Sequence, residues 1–206
     1  MTYNNNLIIF SKAPRYASVK KRLASKIGDV EALRFYQNNL LKNLRILGRD
    51  KRWNCWLALS NNRSNIRKEF ADSCRVFYQC DGDLGQKMEY CLNKVLGESV
   101  VLIGGDIPNI RKSTISIAFK KLKFYDLVFG PSFDGGFWLI GVKGTFIYRQ
   151  KKIKKIFDSV RWSSQHTLFD VKKNIQNKKI FLLDSKNDID TVDDFKKYKL
   201  KISQYN

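Results

Sequence analysis

The chain is 206 residues long, which suits one domain and leaves room for two small ones. A chain of this size can bury roughly 70% of its unfolded surface, so folding needs neither a disulfide nor a metal staple. With 43% hydrophobic and 13% aromatic residues it is neither disordered nor collagen-like, and 39 Lys and Arg against 19 Asp and Glu give a net charge of +20 that suits an anionic partner: a nucleotide, a nucleic acid or an acidic membrane face.

Residues 7–10 (LIIF) read as a fully buried strand, followed by a loop over 11–17 that Pro14 punctuates. Val19, Leu23 and Ile27 recur at helical spacing and predict a helix over 19–27; Leu33, Tyr36, Leu40, Leu44 and Leu47 predict another over 30–47. Next come a strand at 53–59, a helix at 62–71, a strand at 75–79, and a helix at 84–96 with Leu84, Met88, Cys91 and Val95 in register. An apolar strand at 100–103 stops at Gly104-Gly105-Asp106, and a helix is expected at 115–122. Strands at 127–129 and 137–142 flank a Pro-Ser-Phe-Asp-Gly-Gly turn; the tail holds a helix at 167–177, a strand at 180–183 and a helix at 192–198. Short buried strands alternating with helices argue an α/β domain with a mostly parallel sheet. No linker or repeat divides the chain, so residues 1–206 are expected to form one domain.

Cys55, Cys74, Cys80 and Cys91 make no C-x-x-C pair and lie far from the single histidine, His166, which excludes zinc spacing. Reduced, mostly buried thiols are expected. The four-residue apolar run at 7–10 is too short for a signal peptide or a membrane span, so the expected compartment is the cytoplasm. The densest basic run, 151–155, reads as a solvated face, with a nucleic-acid patch as the alternative. Lysines are otherwise spread along the chain, and no stable nucleic-acid complex is expected.

Open α/β sheets bind ligands at the carboxyl ends of their strands. Three segments fall there. After the first strand, Lys12, Arg15, Lys20 and Arg22 put four cations on a loop and the start of a helix: a di- or triphosphate clamp, or a basic surface loop. After the strand at 100–103, Asp106 is placed to hold Mg2+ or Mn2+, or to cap the next helix or turn. Asp134-Gly135-Gly136 is either a plain hairpin turn or part of a pocket. Asp83 reads as a helix N-cap, His166 as a loop or helix-start residue, and Trp138 and Trp162 as core or pocket wall. The acidic run from Asp188 to Asp194 suits a helix start; Asp190 matters chemically only if the fold brings it near Asp106.

Six ordered blocks, LIIFSKAPRYASVKKRL, QCDGDLGQKM, VLIGGDIPNI, LVFGPSFDGGFWLIGV, VRWSSQHTL and DIDTVDDF, resemble the bacterial selenodomain-associated transferase 1 proteins of the nucleotide-diphospho-sugar transferase superfamily, relatives of molybdenum-cofactor and phospholactate guanylyltransferases. The resemblance spans about residues 7–195. It implies a three-layer α/β/α Rossmann-like sandwich of GT-A type, with a mostly parallel mixed sheet, that binds a nucleotide and a divalent metal, Mg2+ or Mn2+. It implies nucleotide and phosphate contacts at Ser11, Lys12, Ala13, Arg15, Lys20, Arg22, Gly82 and Gly85, and a substrate pocket at Asp134, Gly135, Gly136 and Trp138. It implies metal ligation by Asp106 and Asp190, and catalysis by Lys20 and Asp106. The chain departs from the family pattern at Tyr16-Ala17, where Pro-Gly is usual, and at Lys21 and Gly105, where Thr is usual. The implied activity is transfer from a nucleotide-activated donor to a small acceptor: glycosyl transfer from a nucleotide-sugar, or alternatively nucleotidyl transfer from a nucleoside triphosphate; the alternative of another class is a non-catalytic nucleotide- or nucleic-acid-binding protein.

Overall fold

The computed structural model describes residues 5–60, 70, 73–95, 97–144 and 156–203. Seven strands form one sheet: β1 (Asn5–Lys12), β2 (Asn54–Ser60), β3 (Arg75–Tyr78), β4 (Ser99–Gly104), β5 (Leu127–Pro131), β6 (Phe137–Lys143) and β7 (Ile180–Leu182). Their order is β3-β2-β1-β4-β6-β5-β7. β6 is antiparallel to both its neighbours, and every other pairing is parallel. The helices are α1 (Lys21–Ile27), α2 (Asp29–Gly48), α3 (Leu84–Lys94), α4 (Lys112–Lys121), α5 (Thr167–Lys173) and α6 (Val192–Ser203).

Side chains alternate across a strand, so a strand covered on both faces must be apolar at every position. The middle of β1, residues 7–10, and of β4, residues 100–103, meets that demand. Leu7, Ile9, Val101 and Ile103 enter one core with Tyr36, Leu40, Leu44 and Leu47 of α2 and Ile115, Ala118 and Phe119 of α4. Ile8, Val100 and Leu102 enter the other with Met88, Cys91 and Leu92 of α3 and Val171 of α5. Each fully buried Leu or Ile contributes roughly 1.5–3 kcal/mol, so two such faces make the central strands the most firmly held part of the chain. The result is the expected three-layer α/β/α sandwich with a mostly parallel mixed sheet. The four cysteines are unpaired, and no helix among the described residues is long and apolar enough to cross a membrane.

The differences from expectation have local causes. The helix expected from residue 19 begins at Lys21, because Ala17 and Lys20 take φ of 53° and 48°, a left-handed conformation that a helix cannot continue through. α4 starts three residues ahead of its apolar stripe, through a polar first turn. α6 runs to Ser203, five residues past the expected end at 198, through Lys199, Leu200 and Lys201, residues of good helix propensity. α5 stops at Lys173, and turns occupy the remainder of the expected helix, residues 174–177. The helix expected at 62–71 and the basic run at 151–155 lie outside the described residues, Phe70 aside.

The Asp-Gly-Gly segment is the tip of the β5–β6 hairpin. Ser132 N–H donates to the Gly136 carbonyl at 3.0 Å and Gly135 N–H to the Ser132 carbonyl at 3.2 Å. Gly135 has φ of 86°, and its carbonyl accepts from Leu168 N–H at 2.9 Å, tying the hairpin to α5. A Cβ on Gly135 would strike the backbone of Gln165. Gly135→Ala is therefore expected to destabilise the fold by about 2–4 kcal/mol, summing left-handed strain and a backbone clash; chemical denaturation measures this directly.

Candidate active site

Because β1 and β4 are neighbouring parallel strands, their carboxyl ends open at the same edge, and Gly105 N–H continues the ladder to the Phe10 carbonyl at 2.8 Å. The approach is close: a Cβ on Gly105 would lie 2.9 Å from Ser11 Cβ. Behind the corner, Asn43 of α2 donates to the Ile107 carbonyl at 2.9 Å, and Asn39 and Asn43 each reach the Gly105 carbonyl at 3.4 Å. These amides fix the backbone on both sides of Asp106. The Tyr36 hydroxyl accepts from Lys12 N–H at 3.0 Å and lies 2.7 Å from Ser11 Oγ, fixing the exit of β1. Burial pushes the Tyr36 phenol up to about 12, so it stays neutral.

Lys20 occupies the centre. Its side chain is only 4% exposed, and its ammonium lies 2.7 Å from Asp190 Oδ1, 2.8 Å from Asp106 Oδ2 and 3.3 Å from Asp188 Oδ2. Burial alone would lower the Lys20 pKa, but Asp106, Asp188 and Asp190 outweigh it and hold the ammonium well above the usual lysine range. Burial pushes Asp188 up to about 6, with Asp190 and Asp106 adding to the shift and Lys20 opposing it. Burial works to raise Asp190 as well, but the charge and hydrogen bond of Lys20 hold it below the usual carboxylate range. The rest of the acidic run is structural. Thr191 Oγ1 donates to Asp194 Oδ2 at 2.6 Å and accepts from Asp194 N–H at 3.2 Å, which locks the entry to α6 and hence Asp190.

Two cavities meet at these carboxylates. One, of about 580 Å³, is lined by Ser11, Lys12, Lys21, Arg22 and Tyr36 on its basic side. The other, of about 240 Å³, is lined by Asp134, Gly136, Phe137, Trp138, Trp162 and Thr167 among others. Phe10, Leu84, Gly104, Asp106 and Asp188 border both. A nucleotide-sized ligand fits the combined space. Carboxylate oxygens of Asp106, Asp188 and Asp190 lie within 4.8 Å of one another. That all-oxygen donor set, with a positive group already at its centre, fits Mg2+ or Mn2+.

Several expected residues lie apart from the cavities. Ala13 is buried and donates its N–H to Ser60 Oγ, and Arg15 accepts from Ser18 through its carbonyl; neither lines a cavity. Gly85 is packed under Trp162 and Phe157, and Gly82 precedes Asp83, which caps α3 in a capping box with Gln86. Ala13, Gly82 and Gly85 serve packing and turn geometry, and a nucleotide touching them or Arg15 would do so from outside the two cavities. Gly135 faces Gln165 and stays outside the smaller cavity, and His166 precedes α5, also outside both. Lys20 lines the basic cavity, and its ammonium is engaged there by three carboxylates. Asp188 and Tyr36 are absent from the residues that the sequence singles out. The Asp188-Ile189-Asp190 alternation is the available signal for Asp188, since residues two apart in extended chain share a face. Tyr36 is hidden in the apolar stripe of α2.

Residues 43–164 match the family described as "Uncharacterized protein conserved in bacteria (DUF2064)". No curated protein matches the chain. Among solved structures, a protein from Desulfovibrio desulfuricans G20, provisionally assigned as a nucleotide-diphospho-sugar transferase, is 25% identical over 93% of this chain and 84% of its own, with a TM-score of 0.83. The 4-diphosphocytidyl-2C-methyl-D-erythritol synthase of Anaerococcus prevotii DSM 20548 is 14% identical, covering 97% of this chain and 96% of its own, at 0.66. Rv0371c of Mycobacterium tuberculosis H37Rv, in complex with manganese, is 17% identical, covering 94% and 97%, at 0.57. Transferases thus stand among the structural neighbours.

Replacing Lys20 removes the counter-charge of three carboxylates. Lys20→Met is expected to cost the metal-free protein about 2 kcal/mol, less than a fully buried pair because each acid is about one-third exposed. It is expected to tighten binding of Mn2+ alone by about tenfold. Thermal unfolding with and without Mn2+, and Mn2+ titration, check both.

Proposed function

Given that the chain belongs to the DUF2064 family and that two cavities join at an acidic triad, we propose that it is a divalent-cation-dependent transferase acting on a nucleotide-activated donor, in the first instance a nucleotide-sugar. The observation that carries this reading is the junction itself: carboxylates from the end of β4 and from the segment before α6 converge where a basic cavity meets a neutral-to-acidic one. The kinship read from the six sequence blocks, with the selenodomain-associated transferase 1 proteins, agrees with it, as does the provisional assignment of the Desulfovibrio neighbour.

In this reading the basic cavity takes the nucleoside diphosphate. Lys12 and Lys21 are point charges for the phosphates, and Arg22 a planar fork for two phosphate oxygens. Ser11 and Tyr36 keep the β1 exit rigid, so the phosphate-facing backbone needs no reordering when ligand binds. Asp106, Asp188 and Asp190 would hold Mg2+ or Mn2+, which when bound stabilises charge on the departing diphosphate. With a cation so held, the Lys20 ammonium, which lines the same cavity, would be available to the phosphates. An acceptor hydroxyl in the second cavity attacks the anomeric carbon. The bond from that carbon to the diphosphate oxygen breaks, the electron pair leaves with the nucleoside diphosphate, and the hydroxyl proton passes to Asp134, a carboxylate that lines only the second cavity.

Nucleotidyl transfer from a nucleoside triphosphate is the second reading, favoured by the cytidylyl chemistry in the name of the Anaerococcus neighbour. It uses the same cradle but breaks the bond at the α-phosphorus. Product analysis separates the two: nucleoside diphosphate release marks glycosyl transfer, and pyrophosphate release marks nucleotidyl transfer. Calorimetric titration of UDP, GDP and CDP with Mn2+ is expected to show binding that Asp106→Asn abolishes. Unchanged affinity in that variant removes the metal role.

A further inference from the structure

The smaller cavity has a charge that contradicts its surroundings. The protein carries +20, and the adjoining cavity presents Lys12, Lys20, Lys21 and Arg22. Yet the described lining of the smaller cavity contains three carboxylates, Asp106, Asp134 and Asp188, and neither Lys nor Arg. The cations closest to it in the chain are engaged elsewhere. Arg161 makes a two-point pair with Asp170, at 2.8 Å through Nε and 2.7 Å through Nη2, and Lys186 lies over the Trp138 ring, 5.8 Å from its centroid.

The rest of the lining has two textures. Phe137 and Trp162 are half-buried aromatic walls and Trp138 is an almost fully buried floor. Asp134, exposed and lining the same cavity, is oriented by its own turn: Oδ1 accepts from Gly136 N–H at 3.0 Å, and among the described residues Oδ2 has no partner. An aromatic wall suits the apolar face of a ring. A carboxylate with one oxygen fixed and the other available is an acceptor for hydroxyl groups. A phosphate ester would meet the charge of Asp134, for which the described lining offers no cation, while the nearby ammonium of Lys20 is already committed to Asp106 and Asp188.

We propose that this cavity is the acceptor site and that it selects an uncharged, hydroxyl-bearing ring compound, a glycoside or cyclic polyol, against phosphorylated acceptors. The inference rests on the reading that the neighbouring basic cavity holds the nucleotide. It sets this chain apart from a transferase whose acceptor is itself a phosphate: here the anionic partner is confined to the donor side, and the acceptor enters as a neutral alcohol.

The test uses the full chain with Mn2+ and UDP, GDP or CDP, whichever binds, followed by Trp fluorescence titration with methyl glucoside, galactoside and mannoside, each paired with its 6-phosphate. The neutral member of a pair is expected to bind at least about tenfold more tightly than its phosphate. Asp134→Asn, which keeps Oδ1 for the turn, is expected to narrow that ratio, and Asp134→Lys to invert it. A phosphate that binds more tightly than its neutral parent overturns the proposal, as does failure of every neutral sugar to bind or a ratio that ignores the charge at position 134. Failure of all nucleotides to bind is a separate outcome, and it overturns the nucleotide reading on which the proposal rests.

Discussion

One ammonium group holds the centre of this molecule together. Lys20 brings its charge into a site where its side chain is 4% exposed, and three carboxylates from two distant stretches of chain close around it. Burying any one of these charges alone is unfavourable by several kcal/mol. Together they neutralise one another in part, leaving an excess of negative charge. That excess, pinned between two cavities, makes the site receptive to a further cation without being empty of positive charge beforehand.

The site is costly in backbone terms as well. Lys20 and Ala17 both sit in the left-handed region, where a residue with a Cβ loses on the order of 1–2 kcal/mol. The rigid neighbours make this tolerable. β1 is paired on both sides, Tyr36 locks its exit, and Asn39 and Asn43 hold the Gly105–Ile107 corner from α2. The loop that carries Lys20 thus leaves a firmly held strand end, that of β1, and runs directly into α1.

Much of the fold is readable from the chain itself, because buried parallel strands such as 7–10 and 100–103 have no polar position and amphipathic helices such as α2 repeat their stripe over twenty residues. The site is legible in its carboxylate at Asp106 and its basic loop, both tied to strand ends by simple topology. Lys20 is legible as a functional cation, but not in its partner. Nothing local distinguishes a lysine aimed at phosphate from one aimed at acids when the acids arrive from 86 and 170 residues away. The glycines at 82 and 85 are ambiguous for a related reason: close approach by a neighbouring side chain, Gln86 or Trp162, and close approach by a ligand demand the same missing Cβ.

The single reversed strand has a consequence for how such a molecule diversifies. Because β6 runs against its neighbours, the turn joining it to β5 is delivered to the same rim as the outgoing ends of β1 and β4. One rim is therefore served by two kinds of connection, the loops that leave β1 and β4 and the tip of a hairpin. Changes in the hairpin tip can therefore reshape the wall of one cavity while leaving the exits of β1 and β4, which border the other, in place.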